Sequence, residues 1–412
     1  MRITHFIRRV RISDGGVCRA VLDMAMYQAR AGADVTLLTF DATDVPSSWK
    51  AGGAGGAGGA GGAGGAGVPR VREMPHPGRF RALLSGRFRR DIEPLIRESD
   101  AVHLHDMWDP AQVPIARACL DLRKPYIQTP HGMLADWSLK QKKTKKAAYF
   151  AMFARSLIDH ATFIHLTAQA ELDQSQKRHP KTTGMVIPLV FDLTPYRTLP
   201  GPESARKNLK LPPIERPSLL YLSRLHYKKR PDLLIAAGRP LRDMGLEFNI
   251  VIGGPSDPGY EAMLRDFAKR ERVDDVTTIL GMVPAEYKTS LYQACDVFVL
   301  PTSMENFGFV YFESLASATP LVTTKGTDTW KELEASGGGR IVNMIPSDVK
   351  DGQVGGGDVR ELADALATLI RARPSLKGMG ESGRRWVFEH LEPDDVVRQY
   401  LSMYERAAAT PK

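Results

Sequence analysis

Cysteine is scarce: Cys18, Cys119 and Cys295 are the only three among 412 residues. An odd, scattered set excludes a disulfide framework and a cysteine metal site, and fits small core residues in a reducing cytosol. Long apolar runs are missing as well. No stretch reaches the roughly 18 residues that a transmembrane helix needs. The opening Met1-Arg2-Ile3-Thr4-His5-Phe6-Ile7 enters a strand pattern without a signal-peptide core, so a cytoplasmic protein is expected. Asp-x-Asp does not occur either. Acidic residues are outnumbered, giving a net charge of +9. The partner is therefore expected to be anionic. Nucleic acid, anionic lipid and phosphorylated substrates all satisfy that charge, but no recognised nucleic-acid module appears.

What is present alternates regularly. At 412 residues the chain suits two ordinary domains. Apolar strand-like runs separated by helical patterns predict parallel α/β architecture in both halves. The first set is Ile3–Ile7, Val35–Phe40, Ala101–His105, Tyr126–Thr129, Phe163–Leu166 and Val186–Val190. The second is Ser218–Leu222, Phe248–Gly253, Val276–Leu280, Val297–Leu300, Leu321–Thr324 and Arg340–Asn343. A helix over Val17–Arg30 stops at Gly32, and another over Pro231–Met244 begins at proline. The proline-rich stretch Leu193–Pro217 reads as the interdomain linker. Domains are expected over 1–195 and 213–392, with a last helix at 393–412 returning to the first. Residues 51–67 are an Ala-Gly-Gly repeat. It cannot bury apolar surface and reads as a flexible loop.

Basic residues cluster. Arg79, Arg81, Arg87, Arg89 and Arg90 surround Phe80, Leu83, Leu84 and Phe88, a basic amphipathic pattern suited to a membrane surface. A solvated helix with a core-facing stripe fits equally. Lys140, Lys142, Lys143, Lys145 and Lys146 precede the aromatic stretch Tyr149-Phe150-Ala151-Met152-Phe153 and suit the same surface.

Five places carry candidate chemistry. Gly15-Gly16 opens the first helix, where backbone N–H groups can approach an anion; the third glycine of the dinucleotide fingerprint is absent, and a plain tight turn fits too. His131, in Thr129-Pro130-His131-Gly132-Met133-Leu134, falls just past a strand's carboxyl end, the ligand edge of a doubly wound sheet. His103-Leu104-His105-Asp106 resembles half of a metal motif, but Met107 stands where a second Asp is needed. His105 and Asp106 read better as pocket-lining residues. Arg224 and Lys229 lie beyond the first strand of the second half, placed to clamp a diphosphate with a fork and a point charge. The fifth is Ser303-Met304-Glu305-Asn306-Phe307-Gly308-Phe309-Val310-Tyr311-Phe312-Glu313. Here Asn306-Phe307-Gly308 opens a helix, and Glu313 falls within its apolar body, where an unpaired carboxylate is unfavourable.

Together these segments resemble the family 4, group 1, glycosyltransferases of the GT-B fold. The match runs in order through most of the chain and includes Ala316 to Val322. His-Gly-Met-Leu followed by Trp137 and lysines is similar to a bacterial subgroup that builds exopolysaccharide or lipopolysaccharide. The resemblance implies two Rossmann-like parallel α/β domains facing a central cleft. It implies a retaining transfer of sugar from a nucleoside diphosphate sugar to a glycan or polyprenyl-linked acceptor, without a metal or other cofactor, at the inner face of the membrane. By the same resemblance Arg224 and Lys229 hold the donor diphosphate and Glu313 the ribose. Glu305, with Asn306, Phe307 and Gly308, holds the transferred sugar. His131 contacts that sugar, and Gly15 and Gly16 touch phosphate or make room for the acceptor. Asp14 stands where the family often has a small residue, which leaves the acceptor open. A GT-B sugar-nucleotide epimerase or a non-catalytic sugar-nucleotide-binding protein is the alternative.

Overall fold

Runs of valine, isoleucine and leucine without alternation are buried on both faces, the pattern of parallel strands covered by helices. The computed structural model describes residues 1–51, 67–76, 78, 86–346 and 356–410. The repeat at 52–66 lies outside the described residues, as do Arg79, Phe80, Arg81, Leu83 and Leu84.

The chain divides into two compact units, 1–192 with 391–412, and 193–390. The first holds seven parallel strands: β1 (Arg2–Phe6), β2 (Asp34–Thr39), β3 (Arg70–Glu73), β4 (Ala101–His105), β5 (Tyr126–Thr129), β6 (Phe163–Leu166) and β7 (Gly184–Val186). Their order is β3-β2-β1-β4-β5-β6-β7. The direction of winding reverses between β1 and β4, which pair in parallel with His5 opposite His103. Helix α1 (Gly16–Arg30) follows β1, α2 (Gly86–Glu98) precedes β4, and α3 (Gln112–Asp121) follows it.

The second unit holds β8 (Ser218–Leu222), β9 (Asn249–Gly253), β10 (Thr277–Gly281), β11 (Val297–Leu300), β12 (Leu321–Thr324) and β13 (Gly339–Val342), in the order β10-β9-β8-β11-β12-β13. Here the reversal falls between β8 and β11. Three helices matter below: α4 (Pro231–Asp243), α5 (Lys288–Ala294) and α6 (Phe309–Ala316). The final helix, α7 (Pro393–Ala409), starts with proline and buries Val396, Tyr400, Met403, Tyr404 and Ala407. That three-and-four spacing forms one stripe, and in the first unit it packs against α1 and β4.

Two strands differ from expectation. The strand expected at Val186–Val190 lies at Gly184–Val186, because the chain leaves the ladder at Ile187 and Pro188, whose carbonyls instead accept from His165 and Tyr400. The edge strand Arg70–Glu73 was not expected. Its sequence, Arg-Val-Arg-Glu, carries the charges that protect an open sheet edge rather than an apolar run.

Candidate functional site

In the second unit the candidate residues meet at the carboxyl ends of β8 and β11, the switch point where open parallel sheets bind ligands. Arg224 lies two residues beyond β8 and is exposed. Lys229 is buried just before α4, and its ammonium is paired with the Glu305 carboxylate, which follows β11. The two loops are tied by backbone as well: Ser303 N donates to Lys228 O at 3.0 Å, and Thr302 Oγ1 donates to the same oxygen at 3.1 Å. Burial and the nearby Lys228 and Arg224 push the Lys229 ammonium well below the ordinary lysine range, while the Glu305 contact opposes that shift. Burial and Arg224 likewise bring Lys228 down to about 8, against the attraction of Asp328. Three cationic side chains thus crowd one strand end.

Glu305 is fixed by main chain: its N–H donates to Gly326 O at 2.8 Å and its carbonyl accepts from Asp328 N at 2.9 Å. Asn306 Nδ2 donates to Asp328 Oδ2 at 3.0 Å. Phe307 is buried and its carbonyl accepts from Thr329 Oγ1. Gly308 caps α6 at φ 69°, and a Cβ there would meet the Tyr311 ring at 2.5 Å and Glu305 Cγ at 2.9 Å. No other residue fits that turn without displacing Glu305.

Glu313 is 1% exposed inside α6. Its Oε2 accepts from Lys288 Nζ at 2.8 Å and from Tyr292 OH at 3.3 Å. The partners that a carboxylate in an apolar helix needs thus come from α5, as a cation and a hydroxyl. The pairing leaves a ribose role open but removes its necessity.

In the first unit Gly15 (φ 111°) caps α1 and Gly16 begins it. A cavity of about 410 Å³ nearby is lined by Arg8 and Arg9 after β1, Val17 and Cys18 in α1, Asp106, Trp108 and Asp109 after β4, and Met133 after β5. This is the β1–β4 switch point. Asp106 (φ 75°) and His131 (φ 48°) both sit in the left-handed region, a strain of order 1–3 kcal/mol each that surrounding contacts must hold. Buried Glu171 does so at the His131 turn, accepting from Gly132 N at 2.7 Å and, through its other oxygen, from Thr167 N at 2.7 Å.

Behind His131 stands an array of buried histidines. His105 Nδ1 lies 3.1 Å from His131 Nε2, and His105 Nε2 lies 3.0 Å from His5 Nδ1. His103 and His105 stack with ring centres 4.3 Å apart. Burial lowers His5 to about 4, His165 to about 4 and His131 to about 3, and holds His103 and His105 well below the usual range. All five are neutral at pH 7. His5, His103 and His105 each offer a nitrogen within 4.8 Å of the others. A metal there would have to displace existing bonds, since both nitrogens of all three rings already have hydrogen-bond partners.

The basic surface residues separate by environment. In α2, Phe88, Ile92 and Ile96 are buried, so the described part of the stripe faces the core and not a membrane. Arg87 and Arg90 point away from it, while Arg89 is paired with Asp121. Lys140, Lys143 and Lys146, with Arg155 and Arg178, border an apolar depression over Leu139, Ala147 and Phe150.

Each of the two units matches one family. The family described as "Glycosyl transferase 4-like domain" matches residues 15–189, and "Glycosyl transferases group 1" matches residues 205–386. The chain belongs to the group 1 glycosyltransferases. A curated relative from Nocardia farcinica, named D-inositol 3-phosphate glycosyltransferase, is 33% identical over 205 residues, 47% of this chain and 41% of its own length. One of the same name from Saccharomonospora viridis is 27% identical over 299 residues, covering 69% of this chain and 65% of the relative. The chain thus spans less than two thirds of the length of both. A solved Anabaena protein, Alr3699/HepE in complex with UDP and glucose, superposes with TM-score 0.71 at 18% identity, over 98% of this chain and 100% of that one. Its likeness establishes the GT-B fold, with the two sheets described above.

Sequence reasoning overlooked Lys288, Lys228 and Asp328 in the second unit, and His5, His165, Gln28, Glu171 and Tyr404 behind His131. One signal was legible. Four histidines interrupt apolar strands at His5, His103, His105 and His165, and polar residues at central strand positions need partners.

Proposed function

We propose that the chain is a retaining glycosyltransferase that moves a sugar from a nucleoside diphosphate sugar to a glycan or lipid-linked saccharide in cell-surface polysaccharide synthesis. The observation that carries this is the convergence of Arg224, Lys228 and Lys229 with Glu305 at the β8–β11 switch point. Cations fixed beside a strand end stabilise a diphosphate leaving group, whose charge grows as the bond breaks. The C1–O bond to the β-phosphate breaks with its electron pair going to the diphosphate. The acceptor oxygen bonds C1 on the same face, and its proton passes to the departing phosphate oxygen. Arg224 and Lys229 hold that phosphate; Glu305 and the Asn306–Gly308 turn hold the sugar; Glu313 holds the ribose; His131 contacts the sugar. No protein nucleophile, metal or other cofactor enters this scheme.

A second reading concerns only the acceptor. Relatives named for D-inositol 3-phosphate favour a phosphorylated polyol, and Arg8 and Arg9 line the first unit's cavity, where such a phosphate could be held. The epimerase alternative draws no comparable support from the relatives, both of which are named glycosyltransferases.

The test is a thermal-shift series with UDP, GDP, ADP and their sugars. A ligand that binds only the folded state raises the melting temperature. The UDP complex of the Anabaena protein puts UDP first in the series. A melting temperature unmoved by every nucleotide would overturn the reading. NMR of the anomeric proton in the product then decides between retention and inversion.

A further inference from the structure

The buried histidines form one continuous chain of hydrogen bonds, and its direction can be worked out from one end. Ile187 O is a backbone carbonyl and can only accept. It lies 2.8 Å from His165 Nε2, so that nitrogen carries the hydrogen. Tyr400 OH, 2.9 Å from the same nitrogen, has its own hydrogen directed at Pro188 O and offers only its lone pair there. A neutral His165 then has a bare Nδ1, which accepts from Thr129 Oγ1 at 2.8 Å.

The remaining links follow by exclusion, because each hydroxyl or neutral ring has one hydrogen to give. Thr129 has spent its hydrogen and accepts from His103 Nε2 at 2.5 Å. His103 Nδ1 is bare and accepts from Tyr404 OH at 2.7 Å. Tyr404 in turn accepts from Gln28 Nε2 at 3.2 Å, which points the amide oxygen at His5 Nε2, 2.8 Å away. His5 therefore carries its hydrogen on Nε2 and accepts at Nδ1 from His105 Nε2. His105 accepts at Nδ1 from His131 Nε2. Every link runs one way, from His131 to Ile187. The last consequence is at the site itself: neutral His131 has its hydrogen on Nε2, and its Nδ1 is a bare acceptor.

We propose that Tyr404, Gln28, His5 and His105 are positioning residues that hold His131 as the Nε2–H tautomer, so that its Nδ1 accepts a hydrogen bond from a sugar hydroxyl. The tautomer follows from the chain alone, whereas the sugar hydroxyl as donor rests on the glycosyltransferase reading. His131 then selects ligands that present an O–H at that atom, and a sugar lacking that hydroxyl leaves the lone pair unsatisfied. The arrangement also makes α7, through Tyr404, a determinant of chemistry at the end of β5. Burial keeps all the rings neutral, as the scheme requires. A protonated ring would place an N–H against another N–H, with no acceptor to receive it.

The experiment is a long-range ¹H–¹⁵N spectrum of the full chain labelled at histidine nitrogens, at neutral pH and without ligand. His131 signals are assigned by their loss in His131→Gln. The expected wild-type pattern is a protonated Nε2 and a bare Nδ1; the reverse pattern overturns the proposal. Tyr404→Phe removes one oxygen that does not touch His131, yet it should convert His131 to a tautomer mixture. A merely structural tyrosine would leave that pattern unchanged, so an unchanged pattern in a folded variant also overturns the proposal. If Tyr404→Phe does not fold, His105→Leu makes the same test at the first link. None of these readouts needs donor or acceptor. An Nε2–H tautomer in a protein that binds no nucleotide would sink the glycosyltransferase reading and leave the relay standing.

Discussion

The ammonium of Lys229 and the carboxylate of Glu305, 76 residues apart in sequence, form a mostly buried ion pair across the switch point of the second sheet. Each therefore sets the other's position and charge. Removing one partner of a buried pair leaves an uncompensated charge and costs about 3 kcal/mol. Lys229→Ala and Glu305→Ala should each lower unfolding stability by about that amount. The double variant should lose less than the sum, with a coupling of about 1–3 kcal/mol. Urea titrations of the four proteins measure this, and strict additivity would show that the pair is not coupled.

The same pair predicts how donor affinity divides among the cations. Arg224 is exposed and can be lost without leaving a buried charge, so Arg224→Ala should weaken nucleoside diphosphate binding with little effect on stability. A charge-assisted hydrogen bond is worth about 1.5–3 kcal/mol, roughly tenfold to a hundredfold in Kd. Calorimetry with nucleoside diphosphates reads both variants. Unchanged affinity in Arg224→Ala and Lys229→Ala together would remove the diphosphate clamp.

Lys288 and Glu313 show where sequence reading stops. The central strands were legible because they are apolar on both faces, and β4, β5, β6, β8, β11 and β12 fall where the pattern put them. The Glu305–Glu313 segment was legible because a carboxylate inside an apolar helix stands out. Its partner was not: Lys288 begins α5, 25 residues earlier, on a polar stretch with nothing to mark it. The histidine relay was hidden for a related reason. His5 and His103 become neighbours only through the β1–β4 register, and Tyr404 arrives from α7 at the far end of the chain. The edge strand β3 was missed because an edge is made polar to resist pairing. The expected result for Lys288→Met is a loss of about 3 kcal/mol. Adding Glu313→Gln, which removes the stranded charge, should restore part of it, and thermal melts of the two variants decide.

Gly308 tests the turn between the two glutamates. Its φ of 69° and the 2.5 Å approach of a Cβ to the Tyr311 ring leave no room for a side chain. Gly308→Ala should destabilise by about 1–3 kcal/mol and shift Glu305, so donor affinity and melting temperature should fall together. A variant with wild-type melting temperature would show that the turn relaxes freely.

The buried histidines predict acid sensitivity. His5 and His165 titrate near 4 and His131 near 3 in the folded protein, against 6.5 when exposed. Below pH 6.5 the unfolded chain binds protons that the folded chain refuses. Their contribution is thus complete above pH 6.5 and is lost as pH falls towards 4. In that window each histidine should remove about 1.4 kcal/mol of stability per pH unit. Urea midpoints at intervals from pH 7.5 to 4.5 measure the slope. A flat profile across that range would mean that the rings protonate without unfolding.

The basic surface yields the membrane prediction. Arg87 and Arg90 are free of the core; Arg87 lies 4.0 Å from Asp91, and Arg89 is paired more closely with Asp121. A cation near an anionic bilayer contributes about 1 kcal/mol and is screened by salt. Reversing Arg87 and Arg90 to glutamate should therefore release the protein from phosphatidylserine vesicles by more than tenfold at low salt. Reversing Arg89 alone should have a smaller effect, because its charge is already shared with Asp121. Lys140→Glu with Lys143→Glu tests the second basic cluster in the same sedimentation assay. If the first pair matters and the second does not, α2 carries the contact; if the order is opposite, the depression beside Phe150 does. A wild-type chain that never sediments with the vesicles would end the membrane reading for both surfaces.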